Sequence, residues 1–155
     1  TIEAEIPAGV ETGIKLRVTG EGNAGEQGGP AGDLFIYLIV KEHDYFYREE
    51  YDVSIEISVP FTQLVLGTEI TVPTLTGKAS LKIPAGTQPN TSFRLKGKGL
   101  PHLKGYGNGD QYIHIQAKIP KSVSGREKEI IKEFATLQND NTPEKDLFAS
   151  VKRQR

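Results

Sequence analysis

The 155-residue chain is predicted to be mainly β, two small related β-sandwich-like modules in series with short helices and a C-terminal amphipathic helix. Three observations predict this. A stretch of sequence occurs twice, period-two alternation of apolar and polar residues recurs between Gly, Pro and Asn turns, and a single capped apolar stripe of helical period lies near the end.

The repeat comes first. Ile6-Pro7-Ala8-Gly9 returns as Ile83-Pro84-Ala85-Gly86, and the same offset of 77 carries Arg17 to Arg94, Gly20 to Gly97, Gly22 to Gly99, Gly32 to Gly109 and Asp33 to Asp110. Residues 6–41 and 83–118 share twelve identities in thirty-six without a gap. Because the identities include irregular loop residues, shared strand periodicity does not account for them, and two copies of one structural unit follow.

The strands are read from alternation. Val53, Ile55, Ile57 and Val59 alternate with Ser54, Glu56 and Ser58, which places four β-branched residues on one face. Ile14, Leu16 and Val18 alternate likewise, as do Phe93 with Leu95, and Ile113, Ile115, Ala117 and Ile119. A mainly antiparallel architecture is expected. In the second copy Tyr112, His114, Gln116 and Lys118 make the other face of the last strand polar, whereas Leu34 to Val40 in the first copy is apolar without a break. Either a second layer covers that face or it is an apolar patch that binds something.

Two segments read as helical. "PFTQLVLG" holds a turn or two closed by Gly67. In "SGREKEIIKEFATLQND", Ser124 and Glu127 have capping-box spacing, and Ile130, Ile131, Phe134 and Leu137 fall on one stripe. The stripe packs on the second module or on another chain. Residues 141–155 are expected to be a flexible tail.

Nineteen basic against twenty acidic residues provide no global field toward nucleic acid or an anionic membrane. No apolar run approaches the roughly 20 residues of a membrane span. Zero cysteines exclude disulfides, thiol nucleophiles and thiolate zinc sites within this chain. The start, with a strand-like pattern and no initiator methionine, suggests an excised fragment. Gly20, Gly22 and Gly25 fit G-x-G-x-x-G, yet the stretch runs through more glycine into a strand instead of a helix, so it is read as a loop and not a phosphate site. His43, His102 and His114 have no metal-ligand spacing and no nucleophile partner. Asp33 and Asp110, each after a glycine loop, are turn-stabilising carboxylates. No catalytic or metal-binding residue is assigned.

The segments "IPAGVETG", "GEGNAGEQGGPAGDL", "HDYFYRE", "LGTEITVPTLTGKASLKIPAGTQ", "FRLKGKGLPHLKGYGNGD" and "IPKSVSGREKE" stand in an order and spacing similar to the C-terminal substrate-binding region of the DnaJ family, the J-domain co-chaperones. The chain resembles that region over most of residues 1–140. Two positions depart from it: Asp44 stands where the family usually has proline, and Glu50 where "FxRxGxDL" has glycine.

The resemblance implies residues 1–43 as part of a first module whose initial strands are missing, 44–120 as a second module, 121–140 as a dimerisation helix region and 141–155 as the tail. It implies capture of extended hydrophobic segments of unfolded polypeptide clients at Ile2 and Ile36. The strand reading favours the opposite face, with Phe35 and Tyr37, as the alternative. It also implies a homodimer through Ile130, Ile131, Phe134 and Leu137, and the seventy-kilodalton heat-shock chaperone as partner. The implied compartment is the cytoplasm, or alternatively the mitochondrial matrix. No cofactor is expected in this chain; zinc belongs to a module that some members insert upstream. A spacer and dimerisation scaffold, with capture elsewhere, is the second reading, and a β-sandwich enzyme acting on glycans or nucleotides the third.

Overall fold

A computed structural model of the chain describes residues 2–25, 29–103 and 105–138, so the expected tail at 141–155 lies outside the described residues. The chain divides into two compact units, residues 1–118 and residues 119–155.

The first unit is mainly β. Strands β1 (Lys15–Val18) and β2 (Leu34–Tyr37) form one antiparallel pair. Strands β3 (Tyr47–Glu49), β4 (Asp52–Pro60), β7 (Ser92–Leu95) and β8 (Gln111–Lys118) form a four-stranded sheet in the order β3-β4-β8-β7. Between β4 and β7 lie α1 (Phe61–Leu66) and the hairpin of β5 (Thr68–Thr74) and β6 (Gly77–Ile83). Four of the pairings are antiparallel, as expected from the short strands and tight turns, but the central pair β4–β8 is parallel. A parallel neighbour needs a long crossover, and residues 61–110 supply one.

The alternating residues of β4 and β8 form the core as read, while Ile14, Leu16 and Val18 are half-buried outside it. Val53, Ile55 and Val59 of β4 and Ile113 and Ile115 of β8 are buried together with Leu64, Val72, Leu81 and Ile83, while Ile57, Phe93, Leu95 and Ala117 pack against them half-buried. Ile119 lies past the end of β8 and is exposed. Gln111 is fully buried and ties the sheet to the hairpin through Nε2–H donating to the Pro73 carbonyl at 2.8 Å. Helix α1 buries Leu64 and ends at Gly67 in the left-handed region, φ 81°.

The 77-residue offset holds in three dimensions. Leu16 pairs with Ile36, Arg17 with Phe35 and Val18 with Leu34; Phe93 pairs with Ile113, Arg94 with Tyr112 and Leu95 with Gln111. In the first glycine loop Gly22 N–H donates to Gly32 O and Gly32 N–H to Asn23 O; in the second, Gly99 N–H donates to Gly109 O and Gly109 N–H to Leu100 O. The aspartates close both loops: Asp33 accepts from Gly20 N–H at 3.1 Å and pairs with Arg17, and Asp110 accepts from Gly97 N–H at 2.7 Å and pairs with Arg94. Even backbone hand repeats, since Gly13 and its counterpart Asn90 both have positive φ, 91° and 64°. Asparagine tolerates that region better than most side chains.

Among the described residues Glu50 is the other non-glycine residue with positive φ, at 55°. It sits in the two-residue turn that joins β3 to β4, where Glu49 pairs with Asp52, and such turns favour residues that accept φ > 0. A glutamate held there costs about 1 kcal/mol. Glu50→Gly is therefore expected to raise stability by about 0.5–1 kcal/mol, read as a higher thermal midpoint; a lower one would mean that the glutamate side chain has an offsetting contact.

In the second unit, α2 (Gly125–Leu137) begins with the full capping box: Glu127 N–H donates to Ser124 Oγ at 3.3 Å and Ser124 N–H donates to Glu127 Oε2 at 2.6 Å. The Ser124 backbone amide, and secondarily its hydroxyl, holds the Glu127 carboxyl below the usual carboxylate range.

Candidate functional site

The β1–β2 ladder sorts its side chains by alternation. Leu16, Val18, Leu34, Ile36 and Leu38 are half-buried on one face, and Lys15, Arg17, Phe35, Tyr37 and Ile39 are exposed on the other. The exposed apolar residues are large: Phe35 is 50% exposed, Tyr37 65% and Ile39 81%. Cross-strand register sets Lys15 opposite Tyr37 and Arg17 opposite Phe35. The Lys15 ammonium lies 4.8 Å from the Tyr37 ring centroid and 5.5 Å from that of Phe35, so one cation draws the two rings into a single patch. Arg17 is turned toward Asp33, with Nε donating to Oδ2 at 2.6 Å.

The equivalent face of the second copy differs in chemistry. Tyr112, His114 and Gln116 stand where the first copy has Phe35, Tyr37 and Ile39, and all three are half-buried. The edges differ as well. Strand β8 is paired on both sides, by β7 and β4, while β2 is paired among the described residues by β1 alone. A strand edge with free amides and carbonyls beside an exposed apolar face can accept an extended polypeptide through main-chain bonds.

The two positions suggested by resemblance are placed apart from that patch. Ile36 faces inward with Leu34 and Leu38, at the register occupied in the second copy by the fully buried Ile113. Ile2 precedes the first strand and is 45% exposed. Neither lines the cleft of about 580 Å³ whose walls include Val40, Phe46, Arg48, Val53, Leu75 and Leu100. Phe35 and Tyr37 are the predicted pair that the structure brings together.

The other predicted set, Ile130, Ile131, Phe134 and Leu137, is exposed along one stripe of α2, which has no buried residue. Among the histidines, His43 accepts at Nδ1 from the Tyr45 and Phe46 amides, each at 3.4 Å, and the His102 ring lies tilted against that of Tyr51, with centroids 4.5 Å apart. Both have structural partners. Among the described residues no group of three or more His, Asp or Glu side chains is arranged to hold a metal ion, and no described helix is long and apolar enough to cross a membrane.

Arg48 escaped the sequence reading. Its guanidinium is held by the Gly9 and Val10 carbonyls near the start of the first unit and by the nearby Glu50 carbonyl, and only its place in the "FYRE" stretch marked it.

The comparison with known proteins agrees with the fold. The family described as DnaJ C terminal domain matches residues 1–120. The chain is 49% identical over 154 residues to the Chaperone protein DnaJ of Halalkalibacterium halodurans, 48% identical to that of Shouchella clausii and 46% identical to that of Listeria welshimeri. Each alignment covers 98% of this chain but 42%, 41% and 41% of those proteins, so the chain spans about two-fifths of their length. These relatives are chaperones by name. A gapless two-copy β repeat, the paired glycine loops and a match over residues 1–120 together place this chain in the DnaJ C-terminal domain family.

Proposed function

We propose that this chain is the client-binding and dimerising region of a cytoplasmic co-chaperone, delivering unfolded polypeptides to the seventy-kilodalton heat-shock chaperone. Residues 1–43 belong in this reading to the capturing module and 44–120 to the second. The observation that carries it is the exposed Phe35 and Tyr37, with Ile39 just past the strand's end, on a strand whose second edge is unpaired among the described residues. An extended client adds along that edge through backbone bonds that ignore sequence, while the apolar face selects large hydrophobic side chains, so recognition is broad and weak. Ile36 and Ile2 supply apolar surface on the inner side of the same strand and ahead of it. Chemistry on the client is not part of the proposal, and the chain needs no cofactor for it. The stripe Ile130, Ile131, Phe134 and Leu137 joins two copies, so that one long client is held twice and avidity rises through effective concentration.

The test is binding of a fluorescent, permanently unfolded reporter protein, followed by anisotropy. Phe35→Ser with Tyr37→Ser is expected to weaken binding about tenfold, or about 1.4 kcal/mol, with the circular dichroism spectrum retained. Ile2→Ser with Ile36→Ser serves as the second pair. Unchanged affinity in both folded double variants would move capture elsewhere and leave this chain as spacer and dimerisation scaffold.

A further inference from the structure

The two copies share no strand pairing: among the described residues β1 and β2 form their own sheet, separate from the sheet that contains β7 and β8. They meet at the β3–β4 turn. Arg48, at the centre of β3, donates through Nε to the Glu50 carbonyl at 2.7 Å, through Nη1 to the Val10 carbonyl at 2.5 Å and through Nη2 to the Gly9 carbonyl at 2.8 Å. Its ion pair with Glu11 is longer, 3.5 Å, and Glu11 is half exposed. Gly9 and Val10 belong to the first "IPAG" turn, whereas Arg48 and Glu50 belong to the sheet of the second copy.

The neighbouring contacts converge on the same point. Gly9 has φ 82°, and a Cβ built on it would stand 2.2 Å from the Pro101 carbonyl oxygen, so the first turn lies flat against the second copy's loop. On the far side of the β3–β4 turn, Tyr51 O accepts from Leu100 N–H at 2.8 Å and Asp52 Oδ1 accepts from Asp110 N–H at 2.6 Å. The second "IPAG" turn has a different use: Gly86 N–H donates to the Leu64 and Val65 carbonyls at the end of α1.

We infer that Arg48 is a positioning residue that locks the first copy onto the second and so sets the angle at which β2 is presented. A planar guanidinium can satisfy three carbonyls at once in fixed directions, which a lysine ammonium on a flexible stem cannot. The acceptors are neutral backbone atoms, and the bonds to Gly9 and Val10 are part-buried, so salt does little to loosen them compared with an exposed ion pair. Without the fork, the first copy is joined to the second by the connecting segment 38–46 and by apolar packing around the cleft, and it turns about that segment. The consequence for capture rests on the function proposed above: a client held on β2 is aimed in one direction relative to the second copy.

Because the chain has no cysteine, Glu21→Cys in the first copy's glycine loop and Lys78→Cys on the β5–β6 hairpin, both exposed positions, accept two spin labels on the otherwise unaltered 155-residue chain. Electron–electron distance measurement without any client, on labelled chain diluted into an excess of unlabelled chain so that only distances within one chain are read, is expected to show one narrow distribution, broadened about twofold by Arg48→Ala and also by Arg48→Lys, and unaltered by Glu11→Gln. A distribution as narrow as the parent's in folded Arg48→Ala overturns the proposal. Should Arg48→Ala fail to fold, Arg48→Lys decides in the same way, since it keeps the charge and the aliphatic stem. Broadening by Glu11→Gln equal to that by Arg48→Lys also overturns it, by putting the lock in the ion pair. As no client is present, this outcome is independent of the reporter-binding result with Phe35 and Tyr37.

Discussion

Gly109→Ala is expected to destabilise the chain by about 3 kcal/mol or more, whereas Gly32→Ala, the same substitution at the equivalent position of the first copy, should stay within about 0.5 kcal/mol. Neither glycine has positive φ, so backbone strain does not separate them. Space does. A Cβ on Gly109 would stand 2.2 Å from Tyr51 O and 2.6 Å from Asp52 Oδ1, atoms of the turn that the second glycine loop is clamped against. On Gly32 the nearest atom among the described residues, outside its chain neighbours, is Asn23 O at 3.8 Å, an ordinary contact. Urea unfolding of the two variants checks this. Equal losses would mean that the β3–β4 turn does not press on the second loop. Gly99 and Gly22 form an internal control, because both face a backbone atom closer than 3 Å and both alanine variants should be strongly destabilised.

The second large effect concerns the proposed self-association. Ile130→Ser with Phe134→Ser is expected to weaken pairing of two chains about 100-fold or more, enough to yield monomers at tens of micromolar in sedimentation velocity. These two positions lie four residues apart on the stripe, so one exposed face loses its two central anchors while the capping box at Ser124 and Glu127 is untouched. Removing residues 121–155 should do the same. Equal sedimentation of the parent and both altered chains would rule the stripe out as the element that joins two copies in the proposed pairing. Retained helix content in the doubly substituted chain separates a lost interface from a lost helix.

Several parts of this fold were legible because their causes lie within a few residues or one strand pair. Alternation sorted Val53, Ile55 and Val59 to the core, and Ser124 with Glu127 marked the start of α2. The offset of 77 identified the glycine loops as equivalent, and the same amide-to-carbonyl bonds indeed close both. What was not legible lay between distant segments. The parallel pairing of β4 with β8 depends on how a crossover of fifty residues packs, and nothing in either strand's alternation distinguishes a parallel partner from an antiparallel one. For Leu34 to Val40, the continuous apolar run suited a covered strand and an exposed patch equally well. The structure describes one face half-buried and the other, with Phe35, Tyr37 and Ile39, open to solvent.

By itself, then, the sequence determined the repeat, the faces of the strands, the Gly-Asp loop closures and the capped helix, since each follows from side-chain period, glycine's freedom or a bond spanning a short stretch of chain. Only the tertiary structure decided what the two "IPAG" turns do. One is held by Arg48 and pressed on Pro101; the other caps α1. The physical reason is that their partners are backbone carbonyls and amides, groups that nearly every residue carries, so the choice among them is made by which surfaces packing brings within 3 Å and leaves no mark in residue type.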